Sequence, residues 1–252
     1  MEYIEINSNG KVLRGMLHKG NASTDSLIPL IIIHGYFSAN KIGPQRLFVR
    51  MANKIAKNRF DIYRFDLSGM GESDGEIDDI KFSDHIADVE NIVKEIRAKY
   101  NKRVSVVSHC LGCNITLENV LKNSEWFREI IFLAPYYTTD DILSNLFDET
   151  SKKQLYEENY TYRKGLYAHK SFFEGSKQSV FIEKIKKVEV MINVVIPNKD
   201  QFISLEDNKK TFKGVEKVNL LYVNEADHNF LRHQEELINL VEGLLLDEKY
   251  TV

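Results

Sequence analysis

Ser108-His109-Cys110-Leu111-Gly112 places a nucleophile where a strand gives way to a helix. The β-branched run Arg103-Val104-Ser105-Val106-Val107 precedes it, and the helix-compatible residues 113–121 follow. Strand, sharp turn and helix, with the nucleophile at the turn, is the geometry of a nucleophile elbow. The turn lifts the side chain clear of the sheet and aims the positive end of the helix dipole at it. Such elbows more often carry serine; here the residue is cysteine. The chemistry expected is acyl transfer through a thiolate and a thioester. A thiol beside a helix N-terminus and a histidine is expected to ionise below its free value of ~8.5. Two plainer readings stand beside this one. Cys110 can be a small buried apolar residue, or Cys110 and Cys113 can form a redox pair at a helix start.

What favours catalysis is the order of the other candidates. In open α/β sheets, function collects at the carboxyl ends of the strands. His34-Gly35-Tyr36-Phe37 follows the apolar run 30–33, Asp200 follows the run 190–196, and His228 follows the run 218–223. Nucleophile, acid and histidine then appear in that chain order, each beyond its own strand. Asp227 adjoins His228, but neighbouring side chains diverge, so Asp200 is the better acid. The same reasoning counts against His109 as the base for Cys110. Ser108 stands two residues early, at the strand end. Gly69, Gly71 and Gly75 lack the spacing and the lysine of a phosphate-binding loop and read as turn residues. Cys110 and Cys113 lack two further ligands for a structural zinc site.

The elements that would position these groups are legible. Residues 3–7 and 11–18 alternate about Ser8-Asn9-Gly10, which predicts a β-hairpin. Runs 30–33, 61–65, 103–107, 130–134, 190–196 and 218–223 read as buried strands. Helices are expected after Gly43-Pro44, with Leu47, Met51 and Ile55 on one face, over about 80–100, and over about 230–246. Strands alternating with helices predict an α/β fold with a mostly parallel, doubly wound sheet. Residues 136–189 break the alternation, are rich in Tyr and Phe, and show no clear buried strand. That is too long for a simple connection. The expected organisation is a core of 1–135 and 190–252 with a cap insertion at 136–189.

Composition excludes several classes. The chain has 252 residues, 43% hydrophobic and 28% charged, with net charge −3. It carries no nucleic-acid footprint, and no apolar run of membrane-spanning length. The acidic, alternating N-terminus is unlike a signal peptide. Two cysteines three residues apart make no disulfide framework. A cytoplasmic location, no cofactor, no metal, no nucleic acid and no membrane are the expectations; the oligomeric state is open.

His34-Gly35-Tyr36 with Asn40-Lys41, the turn Asp66-Leu67-Ser68-Gly69-Met70-Gly71-Glu72-Ser73-Asp74-Gly75, the elbow 108–112, Asp200 and Asp227-His228-Asn229-Phe230 together resemble the α/β-hydrolase superfamily. More narrowly, the chain is similar to small esterases of the feruloyl and cinnamoyl esterase type. The departures are Cys110 for serine, Ser108 for the leading glycine, and Cys113 for a small residue. The resemblance implies an α/β-hydrolase fold and a Cys110–His228–Asp200 triad. The backbone N–H groups of Tyr36 and Leu111 would receive the tetrahedral oxyanion. His34, Phe37, Tyr136 and Tyr137 are expected to line the acyl site. The leading function is hydrolysis of a small acyl substrate, an ester or thioester, free or carrier-linked. The alternatives are transfer from the same acyl-enzyme to an amine, thiol or hydroxyl, and a non-catalytic protein with a redox-sensing Cys110/Cys113 pair.

Overall fold

The computed structural model of the chain describes residues 1–36, 39–137, 143–144, 146–163, 166–176 and 180–247. The opening hairpin follows from its alternation. β1 (Glu2–Ser8) and β2 (Lys11–His18) pair antiparallel, with Glu2 opposite Leu17 and Ser8 opposite Lys11. Asn9 (φ 52°) and Gly10 (φ 84°) both take the positive φ that a tight two-residue hairpin turn requires. Next come β3 (Ile28–Ile33), α1 (Leu47–Ile55), β4 (Phe60–Phe65), α2 (Phe82–Tyr100), β5 (Val104–His109), α3 (Leu111–Lys122) and β6 (Phe127–Leu133). The following segment holds α4 (Glu149–Glu158), β7 (Tyr160–Arg163), β8 (Leu166–His169), α5 (Lys170–Ser176) and α6 (Phe181–Ile185). β9 (Ile192–Pro197), α7 (Leu205–Thr211), β10 (Val218–Val223) and α8 (Gln234–Leu246) complete the order.

Eight strands form one sheet in the order β1-β2-β4-β3-β5-β6-β9-β10. The β1/β2 and β2/β4 pairs are antiparallel and the rest are parallel. Alternate side chains of each central strand serve opposite cores, because strand side chains repeat with period two. Ile31, Ile33, Val106 and Phe132 face α2, α3 and the segment after β6. Leu30, Ile32, Val107 and Leu133 face α1 and α8. Leu47, Met51 and Ile55 of α1 are fully buried. Each such side chain contributes roughly 1.5–3 kcal/mol of transfer free energy.

Three details differ from the sequence reading. α8 begins at Gln234, because Phe230 turns back with φ 54° and donates its amide to the Asp227 carbonyl at 2.9 Å. α7 was not expected, although Ser204 caps it by accepting the Asp207 amide at 3.0 Å, a legible capping pattern. The segment 136–189 contains the antiparallel pair β7/β8, whose inward residues Thr161 and Ala168 are fully buried. Among the described residues, no helix is long and apolar enough to cross a membrane.

The turn after β4 is built around a buried carboxylate. Asp66 is fully buried and accepts from the Lys41 amide at 2.7 Å, the Glu72 amide at 2.9 Å and Lys41 Nζ at 2.5 Å. Gly71 (φ 53°) is needed because a Cβ there would meet an Asp66 oxygen at 2.2 Å. These glycines therefore shape a turn. Burial opposes the charge on Lys41, but Asp66 and Glu72 together raise its pKa, so it stays cationic. Lys41→Met strands the Asp66 charge and is expected to cost about 3 kcal/mol. A urea midpoint lowered at unchanged m-value is the check.

Candidate active site

β5 delivers Cys110 and α3 carries the chain away. Cys110 sits at φ 57°, ψ −128°, a conformation that costs a non-glycine residue about 1–3 kcal/mol and clusters at functional sites. Its amide is fixed to the Leu133 carbonyl on β6 at 3.0 Å. The elbow also needs close backbone approach, since a Cβ on Gly112 would meet the His34 carbonyl oxygen at 2.5 Å. Ser108 fits in place of glycine because its hydroxyl bonds Thr116 Oγ1 at 2.6 Å; it is fully buried and turned away from the cavity. Leu111 opens α3, so its N–H has no acceptor within the helix. On the opposite side, a Cβ on Gly35 would lie 3.4 Å from Cys110 Sγ. The His34-Gly35-Tyr36 loop thus adjoins the thiol.

His228 stands in the loop after β10 and Asp200 in the loop after β9. Asp200 Oδ2 is 2.9 Å from His228 Nδ1, and both side chains are 4% exposed. Asp200 Oδ1 accepts the amides of Phe202 at 2.8 Å and Ile203 at 3.4 Å, which fixes the carboxylate. The His228 amide donates to Gln201 Oε1 at 3.2 Å. Its ring packs on Tyr136 at 5.2 Å and edge-on to Phe202 at 4.9 Å. Burial alone would lower the pKa of His228. The hydrogen bond that His228 donates to Asp200, and the adjoining Cys110, reverse that and raise it to about 10. Nε2 is buried, and the group it faces across the site is Cys110, which helps to raise the His228 pKa.

The neighbours that compete on sequence have other work. Asp227 Oδ1 accepts the Leu231 amide at 3.0 Å. His109 Nε2 donates to the His228 carbonyl at 3.0 Å, and burial pushes His109 down to about 3, so it is a neutral prop for the His228 loop. Cys113 is fully buried and donates to the Ser108 carbonyl at 3.2 Å; burial raises its pKa well above the usual thiol range. Labelling by a small alkylating reagent is therefore expected at Cys110 long before Cys113, by more than about 100-fold in rate for a buried thiol held protonated. Peptide mapping after brief alkylation reads this, and equal labelling overturns it.

A cavity of about 300 Å³ opens over Cys110. Tyr36, Phe48, Tyr136, Phe202, Leu146 and Asn229 are among its walls, and among the described residues no Asp, Glu, Lys or Arg lines it. Two expected substrate contacts are corrected. His34 is 1% exposed, and both ring nitrogens are spent on backbone: Nδ1 donates to the Gly35 carbonyl at 2.6 Å, and Nε2 accepts the Leu67 amide at 3.0 Å. Tyr137 points away from the cavity, between Phe181 and Phe212, with its hydroxyl bonded to Asn208. Tyr136 does line the cavity. Phe37 lies outside the described residues. Phe202 was missed, although it stands only two residues after Asp200. Among the described residues, no group of three or more His, Cys, Asp or Glu is placed to hold a metal.

The comparisons bear on the fold. The structure of Est1E from Butyrivibrio proteoclasticus with ferulic acid bound superposes with a TM-score of 0.83 at 16% identity, covering 98% of this chain and 99% of that one. Alpha/beta hydrolase domain-containing protein 10 from mouse gives 0.73 at 16% identity, with 97% and 98% covered. The thioesterase domain from the curacin biosynthetic pathway gives 0.68 at 14% identity, with 96% and 98% covered. A search of curated protein sequences finds no match. The profile of the alpha/beta hydrolase fold matches residues 28–184, more than half of the chain and inclusive of the elbow. With that match, the parallel sheet and the strained turn at Cys110, the chain belongs to the α/β-hydrolase fold family.

Proposed function

We propose that the protein is an acyl hydrolase for carboxylic esters or thioesters, working through Cys110, His228 and Asp200. The observation that carries this reading is His228 held by Asp200 on one side and facing Cys110 on the other, at the floor of an aromatic-lined cavity. Cys110 sulfur attacks the acyl carbonyl carbon. The resulting oxyanion is received by the Leu111 and Tyr36 amides. His228 gives its Nε2 proton to the departing oxygen or sulfur, and a thioester acyl-enzyme remains. Acylation turns the Cys110 sulfur into a thioester and so removes an influence that raises the His228 pKa. The imidazole can then take a proton from water, which attacks the thioester and releases the acid.

Cavity size and its aromatic lining suit an acyl group of modest bulk, aromatic or aliphatic. The ferulic acid bound to Est1E is such an aromatic acyl group. Residues 136–189 act as the cap that selects it. A cytoplasmic setting, which keeps thiols reduced, fits a cysteine nucleophile. The test is intact-mass detection of an acyl adduct on Cys110, using a panel of p-nitrophenyl esters and acyl thioesters. An adduct that decays to free acid supports hydrolysis. One that decays only when an amine or thiol is added makes the protein an acyltransferase. Absence of any adduct across the panel, with rapid Cys110–Cys113 disulfide formation on mild oxidation, favours the redox reading.

A further inference from the structure

The amide proposed to receive the oxyanion belongs to the Gly35–Tyr36 peptide, and that peptide is held from both ends. At one end the Gly35 carbonyl accepts from His34 Nδ1, while His34 Nε2 is tied to the Leu67 amide. A planar trans peptide sends its N–H opposite to its C=O, so a fixed carbonyl fixes the direction of the Tyr36 N–H. Burial holds His34 down at about 4, which keeps the neutral ring with one donor and one acceptor that both bonds require.

At the other end, the Tyr36 side chain is 2% exposed. Its ring stacks on Phe172 at 3.8 Å with 15° between the planes and meets the edge of Phe173 at 5.7 Å and 90°. Its hydroxyl meets the His169 backbone at the end of β8. Phe172 is in turn wedged edge-on against Phe82 and His85 of α2, at 5.6 and 5.2 Å. Phe172 does not line the cavity. So α5, part of the inserted segment, grips the residue that carries the amide without touching the space where an acyl group would sit.

From this juxtaposition we propose that Phe172 is a positioning residue for acyl transfer: through the Tyr36 ring it sets the oxyanion donor, and the inserted segment governs the chemical step as well as acyl choice. The proposal rests on the acyl-transfer reading of the site. Its test compares the parent with Phe172→Ala, Phe172→Leu and Phe172→Tyr on p-nitrophenyl butyrate, alongside alkylation of Cys110 by iodoacetamide, a reaction that needs the thiol and no oxyanion donor. Phe172→Ala is expected to lower kcat roughly 10- to 100-fold with KM within about 3-fold, the range for a displaced oxyanion donor. The alkylation rate stays at the parent value. Phe172→Tyr, which keeps the flat ring, restores kcat. Should the alanine variant not fold, Phe172→Leu is read in the same way. A raised KM at unchanged kcat makes Phe172 a pocket support and overturns the proposal. So does a parallel fall in alkylation and acylation. A parent that forms no acyl-enzyme overturns the function itself, whereas an acylating parent whose Phe172→Ala variant keeps its kcat overturns only this inference.

Discussion

Cys110→Ala is expected to abolish acyl-enzyme formation and lower kcat/KM by at least about 10⁴-fold, leaving only what the oxyanion donors and binding supply. Alanine meets the same positive φ that cysteine already tolerates, and the side chain removed is at the cavity floor, so the variant should stay folded. Near-parent turnover in that variant would remove Cys110 from the chemistry. Cys110→Ser asks a finer question. Cys110 helps to raise the pKa of the His228 ring, whereas a serine hydroxyl stays neutral and needs His228 as a base from the outset. The raised His228 pKa is suited to the first state and not to the second. The serine variant is expected to be slower than the parent on thioesters. Faster turnover would mean that the site is organised for a serine alkoxide.

The sheet was legible because its central strands are buried on both faces, which leaves continuous apolar runs such as Leu30–Ile33 in the sequence. The elbow was legible because a strand run, Cys110 and a helix run abut with no room for a loop. Side-chain direction was less so. Tyr136 and Tyr137 follow Pro135 as a pair, and nothing in their types says which one faces the cavity; the structure sends Tyr136 in and ties Tyr137 to Asn208. His34 next to Gly35 looks like a reactive residue. Its role depends on which backbone groups reach its two nitrogens, and those come from Gly35 and from Leu67 on another turn. Phe172 and Phe173 stood out only as aromatics among residues 136–189. Their stack on Tyr36 is a contact between segments far apart in the chain, which no local pattern encodes. The β7/β8 pair carried a real signal, outward Tyr160 and Tyr162 about inward Thr161, in strands too short to distinguish from a turn-rich loop.

Asp200→Asn is the second large effect. Asp200 Oδ1 already accepts two amides, from Phe202 and Ile203. The asparagine oxygen must take that place, because an NH₂ there would face two donors. Its NH₂ then faces His228 Nδ1, which is forced to act as acceptor and leaves the ring proton on Nε2 with no carboxylate behind it. Acylation is expected to fall on the order of 10²- to 10⁴-fold from this wrong tautomer and the lost countercharge. The same substitution should alter the pH dependence of stability. His228 has a folded pKa of about 10 against 6.5 for a free imidazole. A raised pKa means that the folded state binds the extra proton, so the stabilisation is complete below about 6.5 and is lost as pH rises towards about 10. Removing the carboxylate takes away the leading cause of that rise after burial has opposed it. The stability gap between parent and Asp200→Asn, read from urea midpoints, should therefore be wide at pH 6 and narrow at pH 10.5. A gap that does not change with pH would mean that the Asp200–His228 contact carries no charge, and the proton-bearing histidine at the centre of the mechanism would have to be abandoned.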